Sequence, residues 1–108
     1  MSFKVEITSY FKKQAKHLLK KYPSLKGELE RLVDSLELDP IQGTAIGNHC
    51  YKIRISIASK NKGKSGGGRV LISVQVLVGI VYLLSIYDKA EQENISDNEL
   101  KELLKLIP

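Results

Sequence analysis

The sequence predicts an α+β domain in the element order β-α-α-β-β-β-α, with an antiparallel sheet, a helical hairpin and a C-terminal helix. Three observations carry this prediction. Apolar residues recur at helical spacing over two adjacent early stretches and again at the end, whereas the middle of the chain alternates with the period of strands. Proline and glycine mark the boundaries between these stretches. A length of 108 residues with 43% hydrophobic content suits one domain, 1–108, able to fold alone.

Phe3, Val5 and Ile7 alternate with Lys4, Glu6 and Thr8, the pattern of a short half-buried strand. Phe11, Ala15, Leu18, Leu19 and Tyr22 then fall at helical spacing, with Lys12, Lys13, Lys16, Lys20 and Lys21 on the outer side. Pro23 stops this helix, because the residue before a proline avoids the helical region, and suits the first turn of the next. The second helix carries the stripe Leu25, Leu29, Leu32, Val33 and Leu36 and closes at Asp39-Pro40. Residues 41–50 read as a loop with Gly43, Gly47 and Asn48 as turn formers.

Tyr51, Ile53, Ile55 and Ile57 next alternate with Lys52, Arg54, Ser56 and Ala58, so Lys52 and Arg54 share the face away from the main core. Val70, Ile72, Val74 and Val76 alternate with Arg69, Leu71, Ser73 and Gln75, which puts Arg69 off the main apolar face as well. Val78-Gly79 suits a tight hairpin turn. Ile80 to Tyr87 is apolar almost throughout, as expected of a central strand covered on both sides. Ser96-Asp97-Asn98-Glu99 reads as a capping box that opens a helix with Leu100, Leu103, Leu104 and Ile107 as its stripe. All helices are expected on one face of the sheet.

Charge points to function. The formal net charge is +5, and the excess is local: no Asp or Glu occurs between Asp39 and Asp88, where Lys52, Arg54, Lys60, Lys62, Lys64 and Arg69 all lie. The glycine-rich loop Gly63-Lys64-Ser65-Gly66-Gly67-Gly68 sits among these cations, and consecutive glycines let a bulky backbone approach closely. A site for a polyanion such as nucleic acid follows. Nucleotide binding by a P-loop is excluded, since Ala58 stands where the first glycine belongs and a β-branched run follows where a helix is needed. Lys60, Lys62, Lys64, Ser65, Gly66 and Gly67 are expected to hold the phosphates of such a partner, and the cations continue into the strands at Lys52, Arg54 and Arg69. Tyr87 and Lys89, two residues apart at the end of the last strand, complete the candidate set if the strand persists.

Other chemistries find little support. His17 and His49 have no Cys/His companion at ligand spacing, so no metal or other cofactor is expected. Cys50, the single cysteine, reads as a small structural residue in a reducing compartment. No signal peptide or membrane span is evident, which gives the expectation of a cytoplasmic protein.

The residues Tyr51-Lys52-Ile53-Arg54-Ile55, Gly63-Lys64-Ser65-Gly66-Gly67-Gly68-Arg69-Val70 and Leu83-Leu84-Ser85-Ile86-Tyr87-Asp88-Lys89 together resemble the RelE/HigB-type toxins of bacterial type II toxin–antitoxin systems. That resemblance implies a RelE-like fold and a metal-independent ribonuclease that enters the ribosomal A site and cuts mRNA there. It also implies a cognate antitoxin, of helix-turn-helix type, as partner. Lys52 and Arg54 match the family's basic pair, Arg69 its arginine on the following strand, and Lys89 a late basic position. The best-known branch has a catalytic tyrosine a few residues later, where this chain has Asn94 or Ile95, so Tyr87 is left to supply the phenol. The acidic C-terminal region (Asp88, Glu91, Glu93, Asp97, Glu99, Glu102) is expected to face away from RNA. Two other readings stay open: a ParE-like toxin that poisons DNA gyrase, and a non-catalytic RNA-binding remnant.

Overall fold

A computed structural model describes residues 2–57, 66–92 and 94–108. Strand β1 (Lys4–Ile7) leads into α1 (Ser9–Lys21), whose first turn is capped by the Thr8 hydroxyl accepting from Phe11 N–H. Helix α2 (Leu25–Leu38) follows after Pro23, and Tyr22 and Asp39 end the two helices where the prolines require it. Then come β2 (Thr44–Gly47), β3 (Cys50–Ile55), β4 (Gly68–Gln75), β5 (Ile80–Asp88) and α3 (Asp97–Leu104). The predicted capping box on α3 is present, with Ser96 and Glu99 satisfying each other's backbone N–H.

The α+β class and the helix positions match the prediction, and the sheet is richer than expected. It has five strands in the order β1-β5-β4-β3-β2, and β1 runs parallel to β5. The sheet is therefore mixed. The stretch read as a loop at 41–50 contains β2, joined to β3 by a two-residue turn at Asn48 and His49, both with positive φ. Such mirror-image turns favour Asn-Gly, so a histidine there hides the hairpin from a sequence reading. The β4–β5 connection is a turn of 3-10 helix, Val76–Val78, closed by Gly79, instead of the two-residue turn expected.

The helices lie on both faces, which corrects the one-sided arrangement. α1 and α2 pack with Ile53, Ile55, Val70, Ile72, Val74, Val81 and Leu83 into the larger core. Leu100 and Leu103 of α3 pack on the opposite face against Cys50, Leu71, Leu84 and Tyr87. The physical reason is the alternation of β4, whose Leu71 leaves an apolar spot among the polar residues of its second face; α3 covers it.

A bulge sets which face the end of β5 presents. Leu71 pairs with Ser85 but Ile72 pairs with Leu83, so Leu84 is an extra residue. Val81 and Leu83 face α1 and α2, and simple alternation would send Tyr87 the same way. After the bulge Ile86 joins that core and Tyr87 turns to the face of Leu71 and Arg69. β1 ends opposite Leu83, leaving the next part of β5 without a strand neighbour on that side. Gln14 of α1 takes that place: its side-chain oxygen accepts from Ile86 N–H at 3.1 Å and from Ser85 Oγ at 2.8 Å.

Candidate nucleic-acid interface

Three of the predicted residues form a row across three strands. Arg54 on β3 pairs with Arg69 on β4, and Arg69 pairs with Tyr87 on β5. Directly opposite residues on one face stand about 5 Å apart at Cα, so the side chains are neighbours. Two like charges directly opposite each other destabilise a sheet. Proteins break such rules mainly at functional sites, which makes this row the candidate site.

Lys52 flanks the row on β3, two residues before Arg54 and opposite Leu71. Its ammonium donates to Asn94 Oδ1 at 3.2 Å. Gly43 helps to place it: a Cβ at Gly43, which has φ +82°, would overlap the Lys52 carbonyl oxygen. Gly68 sits between Ile55 of β3 and Asp88 of β5, and a Cβ there would meet Tyr87 O at 3.2 Å and Ile55 at 3.4 Å. Lys89 lies just beyond β5, in a turn, so the strand does not persist through it as the pairing with Tyr87 required. Its backbone N–H bonds Gly67 O at 3.1 Å, which ties the end of the glycine-rich segment to the end of β5. Asp88 builds that turn: its carboxylate accepts from Tyr22 Oη at 3.0 Å and Ala90 N–H at 3.0 Å.

The site has two layers. Arg54 is exposed, Lys52 and Lys89 are half-buried, whereas Arg69 and Tyr87 are only 3% and 5% exposed. Arg69 Nη1 donates to Gly68 O at 3.0 Å. The Tyr87 hydroxyl is buried with no hydrogen-bond partner among the described residues. Burial pushes its phenol above the usual tyrosine range, with Arg69 pulling it back and Glu99 adding to the rise. Glu99 therefore lies close to the row, and Asp88 is buried beside it, so the acid-rich C-terminal region is not segregated from the site as expected. The cause is α3, which brings its first turn over the sheet face that carries the cations. Among the described residues no group of three His, Cys, Asp or Glu side chains is placed to hold a metal ion. Cys50 is buried, its thiol donates to Asn48 O at 3.4 Å, and burial pushes its pKa up, as suits a structural residue. No helix of the described residues is long and apolar enough to cross a membrane.

The profile of the RelE toxin of the RelE/RelB toxin–antitoxin system matches residues 3–107. The chain belongs to the RelE toxin family. Membership makes it the toxin of a type II toxin–antitoxin pair and implies a cognate RelB antitoxin as its partner. Two solved structures share the fold. A free-state double arginine-to-alanine mutant of Escherichia coli RelE superposes with a TM-score of 0.63 at 17% identity, covering 100% of both chains. The crystal structure of the isolated E. coli RelE toxin in a P21 form gives 0.55 at 17% identity, covering 98% of this chain and 100% of that one.

Among the residues expected from RelE-like resemblance, Lys52, Arg54, Arg69 and Tyr87 come together on one face, and Lys89 adjoins them through Gly67. Gly66 is half-buried and Gly67 buried, so their backbone, not an open loop, borders the site. Lys60, Lys62, Lys64 and Ser65 lie outside the described residues. Two contributors escaped the sequence reading. Gln14 is one, since nothing in a helical pattern announces a bond to a strand edge. Asn94 is the other, noted only as the place where a tyrosine was missing.

Proposed function

We propose that this RelE-family chain is a metal-independent mRNA endonuclease that works in the A site of the translating ribosome, in the cytoplasm. The observation that carries this reading is the row Arg54–Arg69–Tyr87, flanked by Lys52 and Lys89. RNA cleavage of this kind uses the substrate's own nucleophile. The ribose 2′-oxygen bonds to phosphorus as its proton passes to water, the P–O5′ bond breaks as the 5′-oxygen takes up a proton from Tyr87, which water then reprotonates, and a 2′,3′-cyclic phosphate and a 5′-hydroxyl result. Negative charge builds on the non-bridging oxygens, and cations placed around them in advance are the main source of acceleration.

Lys52, Arg54 and Lys89 reach the surface and serve as the phosphate contacts, Arg54 through the fork geometry of its guanidinium. Arg69 adds charge from the layer beneath. Tyr87 has its phenol held neutral by burial, so it is a proton or hydrogen-bond donor and not a base. A buried hydroxyl without an acceptor costs about 1–3 kcal/mol, and an oxygen of the scissile phosphate or the leaving 5′-oxygen would supply one. α3 covers the row, with Leu100 and Leu103 buried beside Leu71 and Tyr87, so this reading requires the helix to shift when RNA enters. The segment 60–67 guides the RNA backbone towards the row.

The test is primer extension, on programmed ribosomes and on mRNA from translating cells in which DNA replication is followed as well. The wild-type protein is expected to cut mRNA at the A-site codon and to leave ribosome-free mRNA intact. Arrest of DNA replication without mRNA cuts would replace this reading with a ParE-like one; neither effect would leave a non-catalytic RNA-binding protein.

A further inference from the structure

Asn94 lies in the segment between β5 and α3 and contributes the one hydrogen bond that Lys52 Nζ makes among the described residues, at 3.2 Å. An ammonium has donors only, so the Asn94 group facing it is the carbonyl oxygen. The Asn94 backbone is fixed on one side by Gln92, whose Nε2 donates to Asn94 O at 3.2 Å. On the other side the capping box of Ser96 and Glu99 anchors the chain two residues on. A cleft of about 200 Å³ opens here, lined by Lys52, Asn94, Ile46, Ser96, Asp97 and Leu100.

No ion pair among the described residues involves Lys52. This contrasts with Lys21, whose ammonium is taken by Glu91 at 3.4 Å. A carboxylate beside Lys52 would orient it equally well but cancel most of its charge towards a phosphate. A neutral amide orients it and leaves the charge available.

We propose that Asn94 is a positioning residue for Lys52, its neutral side-chain oxygen aiming the ammonium at the scissile phosphate without neutralising it. The inference rests on the RNA-cleaving function proposed above and adds a residue to it. Asn94 is exposed and outside helices and strands, so its substitution leaves the fold intact.

The experiment measures single-turnover cleavage on saturating programmed ribosomes for wild type, Asn94→Ala, Asn94→Asp and Asn94→Gln. Asn94→Ala is expected to cleave about tenfold more slowly, with little change in the ribosome concentration giving half-maximal rate. Asn94→Asp, nearly isosteric but charged, is expected to be slower still, about a hundredfold below wild type. Asn94→Gln, which keeps the carbonyl acceptor, should recover part of the loss. A merely structural role would make the alanine and aspartate variants equal. Cleavage by Asn94→Asp at or above the rate of Asn94→Ala, or all variants within twofold of wild type, would overturn the proposal. The acylation rate of Lys52, read by mass spectrometry, follows the same contact without RNA. It should rise in Asn94→Ala and fall in Asn94→Asp. If the wild type does not cleave, the proposed function fails, and the acylation rates decide the Asn94 contact alone: unchanged rates in both variants would refute it.

Discussion

The two faces of the sheet divide the work of the molecule. Among the described residues, α1, α2 and the sheet face they cover bury fifteen apolar residues in one cluster, from Phe11 to Ile86. Beneath α3 the corresponding cluster has six, among the described residues, and one of these is a tyrosine with an unsatisfied hydroxyl. Beside them stand two arginines directly opposite each other. The first face holds the fold; the second gives up some stability to keep cations and a phenol together. The bulge at Leu84 is the device that joins them, because it delivers Ile86 to one face and Tyr87 to the other.

The comparison breaks most visibly in activity. Arg54→Ala is expected to lower mRNA cleavage by at least about a hundredfold, as for loss of one preorganised charge-stabilising group. Its urea midpoint should be unchanged or slightly higher, since the repulsion with Arg69 is relieved. The opposite face is expected to show the opposite pattern. Leu36→Ala, at a fully buried position, should cost about 3 kcal/mol in denaturant unfolding. Leu103→Ala on α3, slightly exposed and in the smaller cluster, should cost less, about 1–2 kcal/mol. Equal losses at the two sites would mean that both faces stabilise the fold alike.

Tyr87→Phe sharpens the contrast within one residue. It removes a buried oxygen that has no described partner, so stability should stay level or rise by up to about 1 kcal/mol, while cleavage falls. A drop in stability would show that the hydroxyl is already satisfied in the fold. The smallest effect concerns pH. The Tyr87 and Cys50 pKa values are both raised in the fold, so each group stays neutral where the unfolded chain ionises. Their contribution is complete below the unfolded values, about 8.5 for cysteine and 10 for tyrosine, and is lost as the pH rises through the folded ones. The urea midpoint should therefore decline between about pH 8 and pH 10.5, and decline less in Tyr87→Phe. A flat profile in the wild type would contradict the burial of both groups.

Much of the fold was legible in the sequence because its signals are local. The stripes of α1 and α2, the prolines that end them and the capping box on α3 are each written within a few residues. β2 was not legible: four mostly exposed residues with one large apolar side chain, Ile46, give no period, and Asn48-His49 is an uncommon pair for its turn. The site was legible as a set of residues and not as an arrangement. Alternation placed Arg54 and Arg69 on one face, whereas the position of Tyr87 depended on a bulge, which is a property of two strands and has no mark in one. The burial of Arg69 and Tyr87, and the approach of Glu99, follow from where α3 docks, again a long-range fact.

The central claim is that the cations on the α3 face carry RNA cleavage while those elsewhere do not. It is tested most directly by measuring the cleavage rate on programmed ribosomes for Arg54→Ala beside Lys26→Ala, a cation on α2, the helix that packs on the opposite face of the sheet. The account predicts a loss of about a hundredfold or more for Arg54→Ala and a rate near wild type for Lys26→Ala. Wild-type cleavage by Arg54→Ala, or an equal loss in both variants, would contradict it.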